Sequence, residues 1–314
     1  MLKRIGAVLG AMVVVLAGSA VPAAAATVAC RPGADSPRCQ VWSGKVSWVA
    51  DGDTPQIDIA GDGTTAPVSV RLIGVQAMEQ SVYSKTVSKR RGECHALAAT
   101  ARVEYLFKRG GGTVRLTAMK ASSHSDVRNR PLRSVATKIN GAWYDIGLDL
   151  IRGGYTLWLP RKDEYAWNPA YRQAAQQAAK AGKNLYDTDA CGSGPTQNVK
   201  VGLTVNYDAA GDDGTNINGE WFRIDNPSTQ SLSLAGWWVR DAALRRYTFA
   251  KNATVVAGGS VWVHPGKGTA TATRKYWGLS APVFDNPTFD KTAIGDGGYL
   301  FDPQGDLRAW MIYP

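Results

Sequence analysis

Polar and apolar positions change period several times along the first two thirds of the chain. Val68, Val70 and Leu72 alternate with Ser69, Arg71 and Ile73, the two-residue period of a half-buried strand. After Cys94 the period lengthens: Leu97, Ala98, Ala101 and Tyr105 recur at helical spacing, and Tyr171, Ala174, Ala175 and Ala178 do so again. The later helix carries its own punctuation, with Asn168 as N-cap, Pro169 in the first turn and Gly182 as the stop. Between the two helices, strands are expected at Thr113–Met119 and Leu132–Lys138, and a short helix near Asp145–Arg152. Strands flanked by helices predict an α+β domain built on a small barrel.

Beyond Gly192-Ser193-Gly194-Pro195 the helical period disappears. Strand patterns at Glu220–Asp225, Trp237–Arg240 and Ser260–His264 are separated by Gly, Asn, Asp and Pro, and Asp302-Pro303-Gln304-Gly305 reads as a hairpin turn before Leu307–Tyr313. An all-β sandwich is expected there. The chain therefore divides into 1–26, 27–195 and 196–314. The first piece has Lys3 and Arg4, an apolar run from Ala7 to Ala17 and an Ala24-Ala25-Ala26 exit, the pattern of a secretory signal. A secreted, extracellular protein follows.

Composition narrows the classes. With 314 residues, 44% apolar and 20% charged, neither wholesale disorder nor a membrane bundle fits. Of the formal +10 charge, residues 27–195 carry 23 Lys+Arg against 15 Asp+Glu, net +8, and residues 196–314 carry 11 of each. A polyanionic partner is therefore expected at the first domain, although a cationic surface also serves solubility or adhesion to a cell wall. Four cysteines, Cys30, Cys39, Cys94 and Cys191, predict two disulfides in an oxidising compartment, in one of three pairings. A local Cys30–Cys39 loop with a long Cys94–Cys191 clasp is preferred, since the clasp would tie both ends of one domain; a loop of ~100 residues contributes roughly 4–5 kcal/mol.

Three histidines, with no HExxH, GxSxG or P-loop pattern, leave hydrolysis to carboxylates, arginines or a bound cation. Asp51-Gly52-Asp53-Thr54 lies at a strand turn, Arg71 and Glu79 follow, and Arg130 stands in a later cluster with Arg128 and Arg133. A turn carboxylate can ligate a hard cation, two guanidiniums can grip a phosphodiester and neutralise charge building at phosphorus, and a nearby Glu can take a proton from water. Taken singly, Asp51–Thr54 is equally a hairpin turn, Arg71 a surface strand residue and Glu79 a strand end.

Order and spacing together resemble the thermonuclease (staphylococcal or micrococcal nuclease-like) family over Val41 to Tyr186, through the DGDT turn, Val70-Arg71-Leu72-Ile73-Gly74-Val75, Glu79, Arg130 and the Lys183-Asn184-Leu185-Tyr186 exit. The resemblance implies an OB-fold barrel with three helices and a Ca²⁺-dependent endonuclease acting on DNA and RNA. Arg71 and Arg130 would bind phosphate, Glu79 would be the general base, Asp53, Gln76 and Ala77 would form the calcium site, and Tyr155, Trp158 and Tyr165 would stack on bases. Where the family has an acidic residue, this chain has Gln76, which lowers the expected calcium affinity.

Residues 198–314 resemble a lamin-tail domain, an immunoglobulin-like sandwich, through Gly219-Glu220-Trp221, Asp225-Asn226-Pro227, Leu234-Ala235-Gly236-Trp237 and Tyr276-Trp277-Gly278. It would serve binding or localisation, toward the cell envelope or another extracellular ligand, while DNA or RNA is expected at the first domain. The leading expectation is a secreted nuclease. The alternative is a non-catalytic nucleic-acid or cell-envelope binding protein built on the same fold.

Overall fold

The computed structural model describes residues 26–80, 95–125, 128–188, 198–243, 245–286 and 295–313. Residues 1–25, Cys94 and Cys191 lie outside the described residues, and with them most of the signal segment and the long clasp. Cys30 and Cys39 are disulfide-bonded, with Cα atoms 4.8 Å apart.

The first part is a curved, half-barrel sheet. Its spine is the long β2 (Arg38–Val49), flanked by β3 (Pro55–Ile59) on one side and β7 (Thr113–Ala118) on the other, with β9 (Arg130–Ile139) and β10 (Ala142–Asp145) beyond β7. β1 (Thr27–Ala29) adds to the start of β2, and β8 (His124–Ser125) pairs antiparallel with the start of β9. The segment containing β4 (Val68–Ser69) and β5 (Arg71–Leu72) turns the sheet back on itself: β4 pairs antiparallel with β3, and β5 pairs parallel with β9. The alternation expected at 68–73 fails after Val68, since Val70, Arg71, Leu72 and Ile73 are all buried. A strand lying between the inside of the curved sheet and the helices is covered on both faces.

Among the described residues, three α-helices cover this sheet: α1 (Ala96–Arg109), α2 (Ile146–Arg152) and α3 (Asn168–Lys180). In α1 the buried residues are Ala96, Ala99, Val103, Leu106 and Phe107, whereas Leu97 and Tyr105 are exposed. The face expected from Leu97, Ala98, Ala101 and Tyr105 was the wrong one, because two helical stripes of comparable apolarity share this segment and packing on the sheet selects between them. The Asp145 side chain caps α2 by accepting from the Leu148 N–H at 3.1 Å, and accepts from the Tyr171 hydroxyl at 2.9 Å, tying α2 to α3. Asn168 is not the N-cap. The turn at Tyr165–Trp167 runs straight into the helix, and Asn168 has helical φ and ψ.

Among the described residues, the second part has a two-stranded sheet, β14 (Leu232–Ser233) with β17 (Thr254–Val255), and two facing four-stranded ones. One has the order β12 (Gly202–Asn206), β13 (Trp221–Asp225), β18 (Ser260–His264), β19 (Arg274–Tyr276), and the other β16 (Arg246–Thr248), β15 (Trp238–Asp241), β20 (Gly297–Phe301), β21 (Leu307–Ile312). Phe222, Ile224, Val261 and Val263 meet Val239, Leu300 and Ala309 in the core between them. The turn before β21 closes through the Asp302 and Asp306 backbones at 3.0 Å.

A third buried cluster is shared by the two parts. Leu157, Leu159, Leu185 and Tyr186 pack with Trp238, Tyr299, Phe301 and Leu307, and Tyr186 meets the Trp310 ring edge-on at 5.1 Å. Arg308 Nη1 donates to the Thr188 carbonyl at 2.6 Å, and Lys162 pairs with Asp285 at 2.9 Å. Among the described residues, no helix is long and apolar enough to cross a membrane.

Candidate functional site

Parallel pairing of β5 with β9 sets Arg71 opposite Leu132. Arg130 stands two residues before Leu132, and the two-residue period of a strand puts Arg71 and Arg130 on one face although 59 positions separate them in sequence. β3 opens from the Asp51–Thr54 turn directly beside them. Asp53 is held there by four bonds: its N–H donates to Asp51 Oδ1 at 3.1 Å, its carbonyl accepts from Leu72 N–H at 2.9 Å, and its carboxylate accepts from the Thr54 hydroxyl and the Ala77 N–H, each at 2.8 Å. Gly52 is required by close approach. A Cβ there would lie 2.7 Å from the Ala99 side chain on α1 and 3.0 Å from that of Ala77.

Beside them lies one open cleft of about 530 Å³, with Asp51, Asp53, Thr54, Arg71, Gln76, Glu79, Ser125, Arg128, Arg130 and Arg161 contributing its polar surface. Arg71 forms the floor. It is 5% exposed, its guanidinium makes an ion pair with Asp53, and it donates to Gln76 Oε1 at 2.7 Å. Burial pulls the Arg71 guanidinium down to about 9, with repulsion from Arg161 and then Arg130 adding, against Asp51 and Glu79. It remains cationic at neutral pH. Arg130 forms one wall and donates to the Thr54 hydroxyl at 3.1 Å, and Glu79 is exposed at the mouth.

Arg161 escaped the sequence reading. It is delivered by β11 (Leu157–Trp158), whose pairing with β6 (Val75–Gln76) brings the following residues across the cleft. Asn168 fixes its backbone, accepting from Arg161 N–H at 3.2 Å and donating to Arg161 carbonyl at 3.0 Å. Such strand pairing leaves no local signal. The hairpin carrying Arg130 is braced by Arg133, which donates to the Ser123 and Ala121 carbonyls at 2.8 Å, and by Glu164, which accepts from Met119 N–H at 2.7 Å and from the Ser123 hydroxyl.

The oxygens assigned to calcium do not fit a calcium cage. Ca²⁺ takes six to eight oxygen ligands, whereas the Asp53 carboxylate and the Gln76 amide oxygen both face Arg71, and the Ala77 carbonyl accepts from Gln76 Nε2 at 3.0 Å. Among the described residues, no group of three or more His, Cys, Asp or Glu is placed to hold a metal. The aromatic assignments also change. Trp158 is completely buried in the core beneath α3, because β11 is a covered strand, and Tyr155 and Tyr165 are half-buried residues that do not line the cleft.

Ala243, on the turn after β15, completes the cleft wall from the all-β part. Residues 196–314 match the Lamin Tail Domain family model. No curated protein matches the chain. The lamin-tail domain thus borders the cleft through Ala243 and holds that turn by an Asp241–Arg245 ion pair at 2.5 Å and by Asp296, which accepts from Ala242 N–H at 3.2 Å. The cleft's polar side chains all precede this domain in the chain, so its chemistry rests on their geometry.

Proposed function

We propose that the chain is a secreted nuclease that hydrolyses phosphodiester bonds of DNA or RNA in the Arg71–Arg130–Glu79 cleft. The observation that carries this reading is the convergence of Arg71, Arg130 and Arg161 with Glu79 and Asp51 on one open, positively walled space. In the reaction, Arg130 and Arg161 neutralise the phosphate oxygens from the walls, and Arg71 supplies fixed charge beneath them. Glu79 accepts a proton from water as its oxygen bonds to phosphorus, and the bond to the departing sugar oxygen breaks, that oxygen taking a proton from solvent. The thermonuclease-type OB barrel belongs to the same proposal and is supported by the returning sheet and its three helices. Export is supported by the signal-like start of the sequence and the Cys30–Cys39 bridge.

A specific observation favours a second reading. Arg71 already occupies the oxygens that would otherwise hold a cation, and a cationic cleft lacking hydrolytic competence would still bind nucleic acid. Cleavage separates the two. Purified protein is incubated with single-stranded and duplex DNA and with RNA, in calcium or chelator, beside Glu79→Gln. The nuclease reading expects cleavage that survives chelation and falls at least about 100-fold in the variant; no cleavage under any condition leaves the binding reading.

A further inference from the structure

Trp48 is an exposed aromatic residue whose position the strand pattern alone would not produce. Along the end of β2, Gly44 is buried and Val46 half-buried, and strict alternation would turn Trp48 toward the core as well. Instead, the pairing with β3 shifts register between Val46 and Trp48: Val46 pairs with Ile57, Trp48 with Gln56 and Val49 with Pro55. The bulge sends Val49 inward, 9% exposed, and Trp48 outward, 57% exposed. Bulges are used beside binding sites to re-aim a side chain in this way.

The re-aimed ring enters an open groove of about 660 Å³ that Trp48 shares with Val68, Arg128, Arg130 and Pro131. Arg128, Arg130, Asp51 and Thr54 line this groove and the cleft alike, so the two form one continuous surface. One end holds guanidiniums suited to phosphate, and the other holds a flat apolar face. That combination matches successive parts of one nucleotide strand, with phosphates at the arginines and an unpaired base against the indole. Resting on the nuclease reading, we propose that Trp48 is the stacking platform for an unpaired nucleobase of the strand whose phosphates lie against Arg128 and Arg130. A duplex keeps its base faces stacked inside and offers none to Trp48.

The test measures anisotropy of a labelled single-stranded 12-mer, an abasic oligomer of equal phosphate number and a duplex of the same sequence, all in a Glu79→Gln background that keeps the strands intact. Trp48→Ala should weaken the base-containing single strand by about tenfold, leave the abasic oligomer and the duplex unchanged, and preserve the salt slope, because no charge is removed. Trp48→Phe should recover most of the loss. Equal affinity of Trp48→Ala and the parent for the single strand overturns the inference, as does an equal loss on the abasic oligomer. Arg130→Ala separates this failure from that of the nuclease reading: it should weaken all three probes, and if it changes none of them the cleft is not a phosphate site at all.

Discussion

Glu220 shows how far one buried side chain can carry a pH dependence. It is fully buried, and its carboxylate accepts from the Val283 N–H at 2.6 Å and the Phe284 N–H at 3.3 Å. Burial outweighs these bonds and raises the carboxyl to about 7. Because the folded value lies above the unfolded one, the folded state holds the proton more tightly. The associated stability is complete below the ordinary carboxylate range and is lost as pH rises through about 7. Urea titrations at pH 5 and pH 8 should therefore show the native chain losing on the order of 1–2 kcal/mol more than Glu220→Gln, which has no proton to release. Equal losses would mean that the carboxyl titrates normally. Arg71 makes the complementary point at this scale: a residue expected either to bind phosphate or to lie on a strand surface is a buried floor, bonded to Asp53 and Gln76.

At the scale of elements, the Asp51–Thr54 turn and α1 depend on each other. The turn can hold Asp53 beneath Arg71 only because Gly52 lets Ala99 approach. Gly52→Ala places a methyl 2.7 Å from the Ala99 Cβ, backed by the helix, so neither side can yield cheaply. A loss of about 1–3 kcal/mol is expected in chemical denaturation, with weaker oligonucleotide binding because the Asp53 clamp moves with the turn. A neutral substitution would show that the turn and helix separate freely. The short α2 and the strands at 113–118 and 130–139 could be anticipated from periodicity to within two residues at each end. The helix face at 96–107 could not, because the choice between its two stripes is made by what packs against it.

The molecule as a whole is joined by more than its chain. Arg308 is buried, with Nε bonded to Asp302 at 2.8 Å and Nη1 reaching the Thr188 carbonyl across the junction at 2.6 Å. Arg308→Leu leaves the buried Asp302 and Asp306 without that cation, and is expected to cost about 3–5 kcal/mol. Urea unfolding followed by far-UV circular dichroism checks this, and a change below about 1 kcal/mol would rule out a junction held by Arg308. Ala243 also lies on the cleft wall, so the lamin-tail domain is a neighbour of the candidate site as well as an appended unit.

Residue order alone was enough to foresee two differently patterned parts, the concentration of positive charge in the first, the local cysteine bridge and the grouping of Arg71, Glu79 and Arg130 as candidates. These properties are carried by periodicity, composition and short spacings, all local along the chain. What only the folded molecule decided was which groups meet. The parallel pairing of residues 71 and 132 aligned the arginines, the pairing of residues 75–76 with 157–158 delivered Arg161 and buried Trp158, and one bulge exposed Trp48. Each is a contact between segments distant in sequence, and strand register, which sets the direction of every side chain in the pair, has no signature within either segment by itself.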